Sequence, residues 1–122
     1  MGRTEQITRE LKGLTTGTAD INAAALVDND GLMIASAMSA TQDEDSVAAM
    51  SAAMLGIGER IATELEHGDF ELVMLRAAEG FTVLVRCGDE AVLTVLAVKR
   101  AKLGLIFLDI KRTAAELSKL LS

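Results

Sequence analysis

Residues 70–98 read FELVMLRAAEGFTVLVRCGDEAVLTVLAV. Three apolar runs (residues 70–77, 81–87 and 91–98) are separated only by Glu79-Gly80 and Gly88-Asp89-Glu90, which are turn residues. Runs of this length with β-branched and aromatic residues, punctuated by Gly and acidic residues, predict an antiparallel meander of three strands. In the last run Thr94 is the only polar residue. A strand without a polar face is covered on both sides, which places it centrally with helices above and below.

Working outward, residues 21–27 (INAAALV) carry no charge and lead into Asp28-Asn29-Asp30-Gly31 and then LMIASA at 32–37. An Asp-Gly pair between two apolar runs predicts a β-hairpin, because these residues tolerate the positive φ of hairpin turns. Asp43 is an N-cap for a long helix, with Glu44 and Asp45 placed against the positive end of its dipole. Val47, Met50, Met54, Ile57, Ile61 and Leu65 follow helical spacing as its core stripe, and His67 with Gly68 closes it. At about 1.5 Å per residue it is roughly 36 Å long and overhangs any sheet it packs on. A last helix over residues 103–121 shows Leu103, Ile106, Ile110, Ala114, Leu117 and Leu121 on one face, and a first helix over 4–14 shows Ile7, Leu11 and Leu14. The order is α-ββ-α-βββ-α, an α+β chain without repeats or linkers.

The 122 residues correspond to one domain, which hides roughly two-thirds of its unfolded surface on folding. Half the residues are apolar, yet only Phe70, Phe81 and Phe107 are aromatic, and there is one Cys (Cys87) and one His (His67). A disulfide framework and a four-ligand zinc site are excluded on the cysteine and histidine counts. So is an aromatic stacking platform for single-stranded nucleic acid. A net charge of −6 opposes nucleic-acid phosphates and anionic membranes over the chain as a whole. The polar N-terminus has no signal-peptide core, Gln6 stands where myristoylation wants Ser or Thr, and the longest uncharged stretch (residues 46–58) is too short to span a bilayer. The expectation is a cytoplasmic protein without membrane insertion.

The chemistry-bearing residues read as structural. His67 sits at a helix end, where its partial charge favours the dipole, and Cys87 shares a strand face with Phe81, Val83 and Val85. Asp28 and Asp30 belong to a turn, and Asp43, Glu44 and Asp45 to a helix start, so no metal site is expected. Gly56-Ile57-Gly58 lies in the middle of a helix and is no phosphate-binding loop. Lys99, Arg100 and Lys102 form a basic spot that reads either as a solvated loop or as a contact for an acidic partner. No catalytic residue and no cofactor site is predicted.

The informative feature is the long helix opposite its expected core stripe. Ala49, Ala52 and Gly56, flanked by Ala48, Ala53 and Leu55, form that face, and no charge occurs between Asp45 and Glu59. A face that meets water normally carries Lys and Glu, whereas small residues let another backbone approach closely. Protein is expected to cover it.

With ALVDNDGLMIAS (residues 25–36), DSVAAMSAAMLGIGERIATEL (45–65), the two strands FELVMLRA and FTVLVRC, and LGLIFLDIKRTAAELSKLL (103–121), the chain resembles the roadblock family and, within it, the bacterial MglB-like proteins. The resemblance covers nearly the whole chain and implies a single roadblock/longin-like domain over residues 1–122. It implies a five-stranded antiparallel sheet between the long helix on one face and the two terminal helices on the other. It also implies a homodimer joined through the long helix and the third strand, and a non-enzymatic role in binding a small Ras-like GTPase of the MglA type and modulating its GTP hydrolysis. On this resemblance Ala48, Ala49, Ala52, Ala53 and Gly56 of the long helix, with Leu72 and Met74 of the third strand, are the candidate dimer or GTPase contacts. Arg60 and Arg76 are given no catalytic part. The chain ends at Ser122, short of the C-terminal extension of MglB-like proteins, so GTPase binding is expected ahead of GTPase activation. The alternatives are a roadblock protein serving another GTPase complex, and a small-ligand sensor or scaffold module with no GTPase partner.

Overall fold

The computed structural model describes residues 2–122 and contains eight elements in the expected order. They are α1 (Arg3–Gly17), β1 (Ile21–Asp28), β2 (Met33–Ala37), α2 (Glu44–Glu64), β3 (Leu72–Ala77), β4 (Gly80–Cys87), β5 (Ala91–Val98) and α3 (Leu103–Leu121). The strands form one antiparallel sheet in the order β2-β1-β5-β4-β3. β5 is therefore the central strand, as its lack of a polar face requires.

Two cores of unequal size flank the sheet. Beneath α1 and α3, Ile7, Leu11, Ile110 and Leu117 close over Leu26, Val83, Leu93 and Val95. Cys87 lies on this same face and is fully buried. On the other face, Ala48 and Leu55 of α2 meet Ala25, Val27, Leu84 and Val92. One helix thus covers five strands, and most of its hold comes from a few side chains.

Local chemistry fixes the turns. Asp28 Oδ1 accepts from the backbone N–H of Asp30 and of Leu32, and Gly31 takes the left-handed backbone (φ +87°) that closes the β1–β2 turn. Asn29 ties this turn to the β4–β5 turn, donating from its side chain to the Asp89 carbonyl and from its backbone to the Glu90 carbonyl. α1 runs three residues beyond the expected Leu14, its last turn closed by the Thr18 N–H on the Leu14 carbonyl, and the Thr15 and Thr16 hydroxyls fold back on the Lys12 carbonyl. At the start of α2, Asp43 accepts from the backbone N–H groups of Asp45 and Ser46 and from the Ser46 hydroxyl. That hydroxyl, followed by the Ser46 N–H, holds the Asp43 carboxyl below its ordinary range. The cap is therefore intact above the usual carboxylate pKa and is lost on acidification through the depressed value.

The C-terminus of α2 differs from expectation. The helix ends at Glu64, and Glu66 rather than Gly68 takes the first left-handed conformation (φ 58°). His67 N–H bonds to the Ala62 carbonyl and Glu66 N–H to the Thr63 carbonyl, the paired closure of a Schellman motif. Gly68 is also left-handed (φ 86°) but lies one step outside the motif. A side chain at the Glu66 position costs energy that glycine avoids, so Glu66→Gly is expected to stabilise the fold by about 0.5–1 kcal/mol. Thermal unfolding should then rise by about 2–4 °C, and a lowered midpoint contradicts the assignment.

A buried polar pair links α2 to the centre of the sheet. Ser51 Oγ donates to the Val47 carbonyl at 2.7 Å and lies 2.7 Å from Thr94 Oγ1. A hydroxyl has one proton, so Thr94 is the donor in the second bond. Ser51→Ala strands the Thr94 hydroxyl and is expected to cost about 1–3 kcal/mol in denaturant unfolding. Adding Thr94→Val should recover part of that loss, and a strictly additive double variant contradicts the pairing.

Candidate functional site

The site is a surface made by the outer face of α2 and the free edge of β3. The structure corrects which face of α2 is outer. Val47, Ala48, Ser51 and Leu55 point at the sheet, while Met50, Ile57 and Ile61, read above as core, are 58%, 62% and 52% exposed. Leu65, at the helix end, is also exposed. Both faces are uncharged between Asp45 and Glu59, so periodicity favours the bulkier one; the true core face lies roughly a quarter turn away. Packing decides otherwise because small residues let the helix lie close to the sheet and its hairpin. A Cβ added at Gly31 would stand 3.3 Å from Ala52 Cβ, and one added at Gly58 would stand 2.5 Å from the Phe70 ring.

The predicted contact residues divide accordingly. Ala48 is 2% exposed and packs on the sheet, so it is withdrawn as a surface contact. Leu55, which was expected to flank the outer face, is buried as well. Ala52 is half-buried beside Gly31, and Ala49, Ala53 and Gly56 are exposed. Leu72 and Met74 are exposed on β3, together with Leu75. Met50, Ile57, Ile61 and Leu75 are exposed large apolar residues that were not among the candidates. Their signal was a surplus of apolar residues: α2 carries two uncharged faces, and a helix on one side of a sheet needs only one.

β3 pairs with β4 along one side, and its other side is the edge of the sheet. Edge strands normally carry devices against pairing, such as Lys, Pro or inward-pointing charges. In LVMLRA the single charge is Arg76, whose guanidinium sits over the Phe81 ring at 5.3 Å from its centroid and is thereby held over the sheet face. The edge is open for strand pairing. Phe70 and Val73 pack between β3 and α2, and a shallow groove of mixed character runs between them, lined by Ile61, Ala62, Phe70 and Val73 together with His67, Asp69 and Glu71. The exposed stripe of α2 and the unpaired edge of β3 thus lie side by side; Val73 and Leu75 are on the α2 face of the sheet, whereas Leu72 and Met74, paired with Val85 and Val83, are on the other face.

The remaining candidates have structural roles. Burial pushes the Cys87 thiol up to about 12, so it stays protonated at neutral pH. Lys99 pairs with Glu79 at 3.3 Å and Arg100 with Asp20 at 3.5 Å, both on the surface. Among the described residues no group of three or more His, Cys, Asp or Glu is placed to hold a metal ion, and no buried side-chain polar atom lacks a partner. No described helix is long and apolar enough to cross a membrane.

Comparison with known proteins gives this surface its context. Residues 7–97 match the Roadblock/LC7 domain family. The uncharacterized protein MJ1340 of Methanocaldococcus jannaschii is 37% identical over 100 residues, covering 82% of this chain and 87% of the relative. The structure of Myxococcus xanthus MglB superposes with a TM-score of 0.91 at 26% identity, over 99% of this chain and 91% of that one. A second structure, described as MglB with tetrameric arrangement, superposes with a TM-score of 0.88 at 20% identity, over 98% of this chain and 90% of that one, and shares the fold.

Proposed function

The chain belongs to the Roadblock/LC7 family, and on that premise we propose that it is a homodimeric, non-enzymatic adaptor that binds a small Ras-like GTPase of the MglA type and modulates its GTP hydrolysis. The reading takes residues 1–122 as one roadblock-type domain working in the cytoplasm. The observation that carries it is the exposed apolar stripe of α2 lying beside the unpaired edge of β3. Two copies meet about a two-fold axis, β3 pairing with β3 to continue the sheet, and Ile57 and Ile61 of one α2 packing on the other. Such an isologous contact buries the same patch on both chains and satisfies the unpaired backbone groups of the edge. Ala49, Ala53 and Gly56 stay on the part of α2 away from β3, where their small side chains admit a partner's backbone. In this reading they form the GTPase-docking face of the paired helices. The tetrameric arrangement of one similar MglB structure supports self-association.

The titratable groups fit an adaptor: Asp28 and Asp43 are spent on a turn and a cap, and the Cys87 thiol is buried. The test is retention of a small Ras-like GTPase from the same genome on the immobilised protein. The GTPase is loaded either with a non-hydrolysable GTP analogue or with GDP. Retention that depends on the GTP analogue and is lost in Ala53→Arg is expected. A correctly folded dimer that retains the GTPase in neither state contradicts the proposed partner.

A further inference from the structure

The net charge of −6 is unevenly distributed. Residues 1–20 and 99–122, which build α1, α3 and their adjoining loops, hold nine Lys and Arg against five Asp and Glu (net +4). Residues 21–98, the sheet and α2, hold three against thirteen (net −10). A chain that is acidic overall therefore has one basic layer, on the face of the sheet opposite α2.

The outer stripe of α3 gives that layer a more specific character. Leu105 and Leu108 lie about 60° apart on the exposed side of α3, with Lys102 at the N-cap before them and Lys111 and Arg112 in the turn after them, and all five are exposed. Leu105 and Leu108 are 66% exposed, as fully as any large apolar residue among the described residues. Asp109, the one carboxylate between Lys102 and Arg112 in the sequence, is turned aside, accepting from the Thr18 hydroxyl at 2.9 Å and from Arg112. Lys102 and Lys111 make no ion pair among the described residues. Two leucines bracketed by cations along a helix lying flat on the molecule form the pattern of a helix in the interfacial plane of a bilayer.

We propose that the α3 stripe docks the protein on an anionic lipid surface, with Leu105 and Leu108 entering the headgroup–acyl boundary and Lys102, Lys111 and Arg112 meeting lipid phosphates. The leucines favour lipid over nucleic acid, because phosphates of a duplex give them nothing to bury against, and the chain has no aromatic platform for bases. Docking is peripheral and leaves the α2 layer pointing away from the bilayer. Each chain carries the whole stripe, so the surface does not depend on the dimer. In the dimer proposed above, where α2 meets α2, both α3 helices face the same side, and two stripes bind with avidity.

The test is co-sedimentation with vesicles of phosphatidylcholine alone or mixed with about 30% phosphatidylglycerol, at about 50 mM and about 500 mM salt. Uptake by the anionic vesicles at low salt is expected, with little uptake by neutral vesicles and release at high salt. Leu105→Glu/Leu108→Glu should lower uptake about 100-fold and Lys102→Glu/Lys111→Glu about tenfold or more. Because these side chains are exposed, the variants keep the wild-type circular dichroism. The α2 variant Ile57→Glu loses the avidity but keeps salt-sensitive, leucine-dependent binding, so failure of the dimer is distinguishable from failure of the stripe. No uptake of the wild type by anionic vesicles at low salt overturns the proposal. So does equal uptake of the leucine variant, or retention on immobilised polyglutamate without any vesicle uptake, which would give the stripe to an acidic protein.

Discussion

Ile57→Glu is expected to convert the protein from a dimer to a folded monomer of 12.9 kDa, weakening self-association by about 100-fold or more. In the free chain Ile57 is exposed, so the substitution removes no intramolecular contact, and Glu has the higher helix propensity. In the proposed dimer the same carboxylate faces an apolar stripe near the two-fold axis, close to its own symmetry mate. Truncating one central apolar anchor commonly costs about 2 kcal/mol or more, and an unpaired charge in its place adds desolvation and like-charge repulsion. About 2.7 kcal/mol already corresponds to 100-fold. Sedimentation velocity over a concentration series reads the result directly. A variant that remains dimeric at the same concentrations as the wild type places the interface elsewhere.

Leu55→Ala is expected to give the largest loss of stability on the α2 side, about 2–5 kcal/mol. Leu55 is 2% exposed and is the one large, fully buried side chain that α2 contributes; its other buried residues are Val47, Ala48 and Ser51. Truncation leaves a cavity between α2 and the sheet, lined by Val27, Leu84 and Val92, and a helix carrying an apolar outer face cannot close it without exposing more. The core beneath α1 and α3 is separate and larger, so the damage is local as well as global. Hydrogen exchange in α2 should accelerate more than in α3, and the denaturation midpoint should fall. A loss below about 1 kcal/mol, or equal acceleration in both helices, contradicts this division into two cores.

Elements whose apolar pattern admits one reading were legible from residue order. The hairpin followed from Asp28-Asn29-Asp30-Gly31, the central strand from the uninterrupted apolar run around Thr94, and α3 from its spacing beginning at Leu103. The five-stranded antiparallel sheet accords with the expectation drawn from family resemblance, and it puts β3 at the edge with Leu72 and Met74 exposed. The orientation of α2 was illegible for a physical reason: with two uncharged faces, periodicity carries no information about which one is inside. What decides is how closely the helix approaches Gly31 and Phe70, a tertiary quantity that placed Ala48 and Leu55 inside and Met50 and Ile57 outside. The same ambiguity is the functional signal, since a helix with one face more than its own chain can bury is made to be covered. The charge segregation was partly legible: the basic surplus lies in residues 99–122, and Lys99, Arg100 and Lys102 stand out in the sequence, but its place on the face of the sheet opposite α2 follows only from the packing of α3.

The central claim is that the edge of β3 pairs with its copy. Amide hydrogen exchange of Leu72–Ala77, followed against protein concentration, tests it most directly. The β3 amides that do not bond to β4 should exchange rapidly in dilute protein and become protected as concentration rises, in step with the sedimentation mass. Ile57→Glu should keep them fast throughout. If those amides exchange rapidly at every concentration while the protein sediments as a dimer, β3 is not at the interface and the account is wrong.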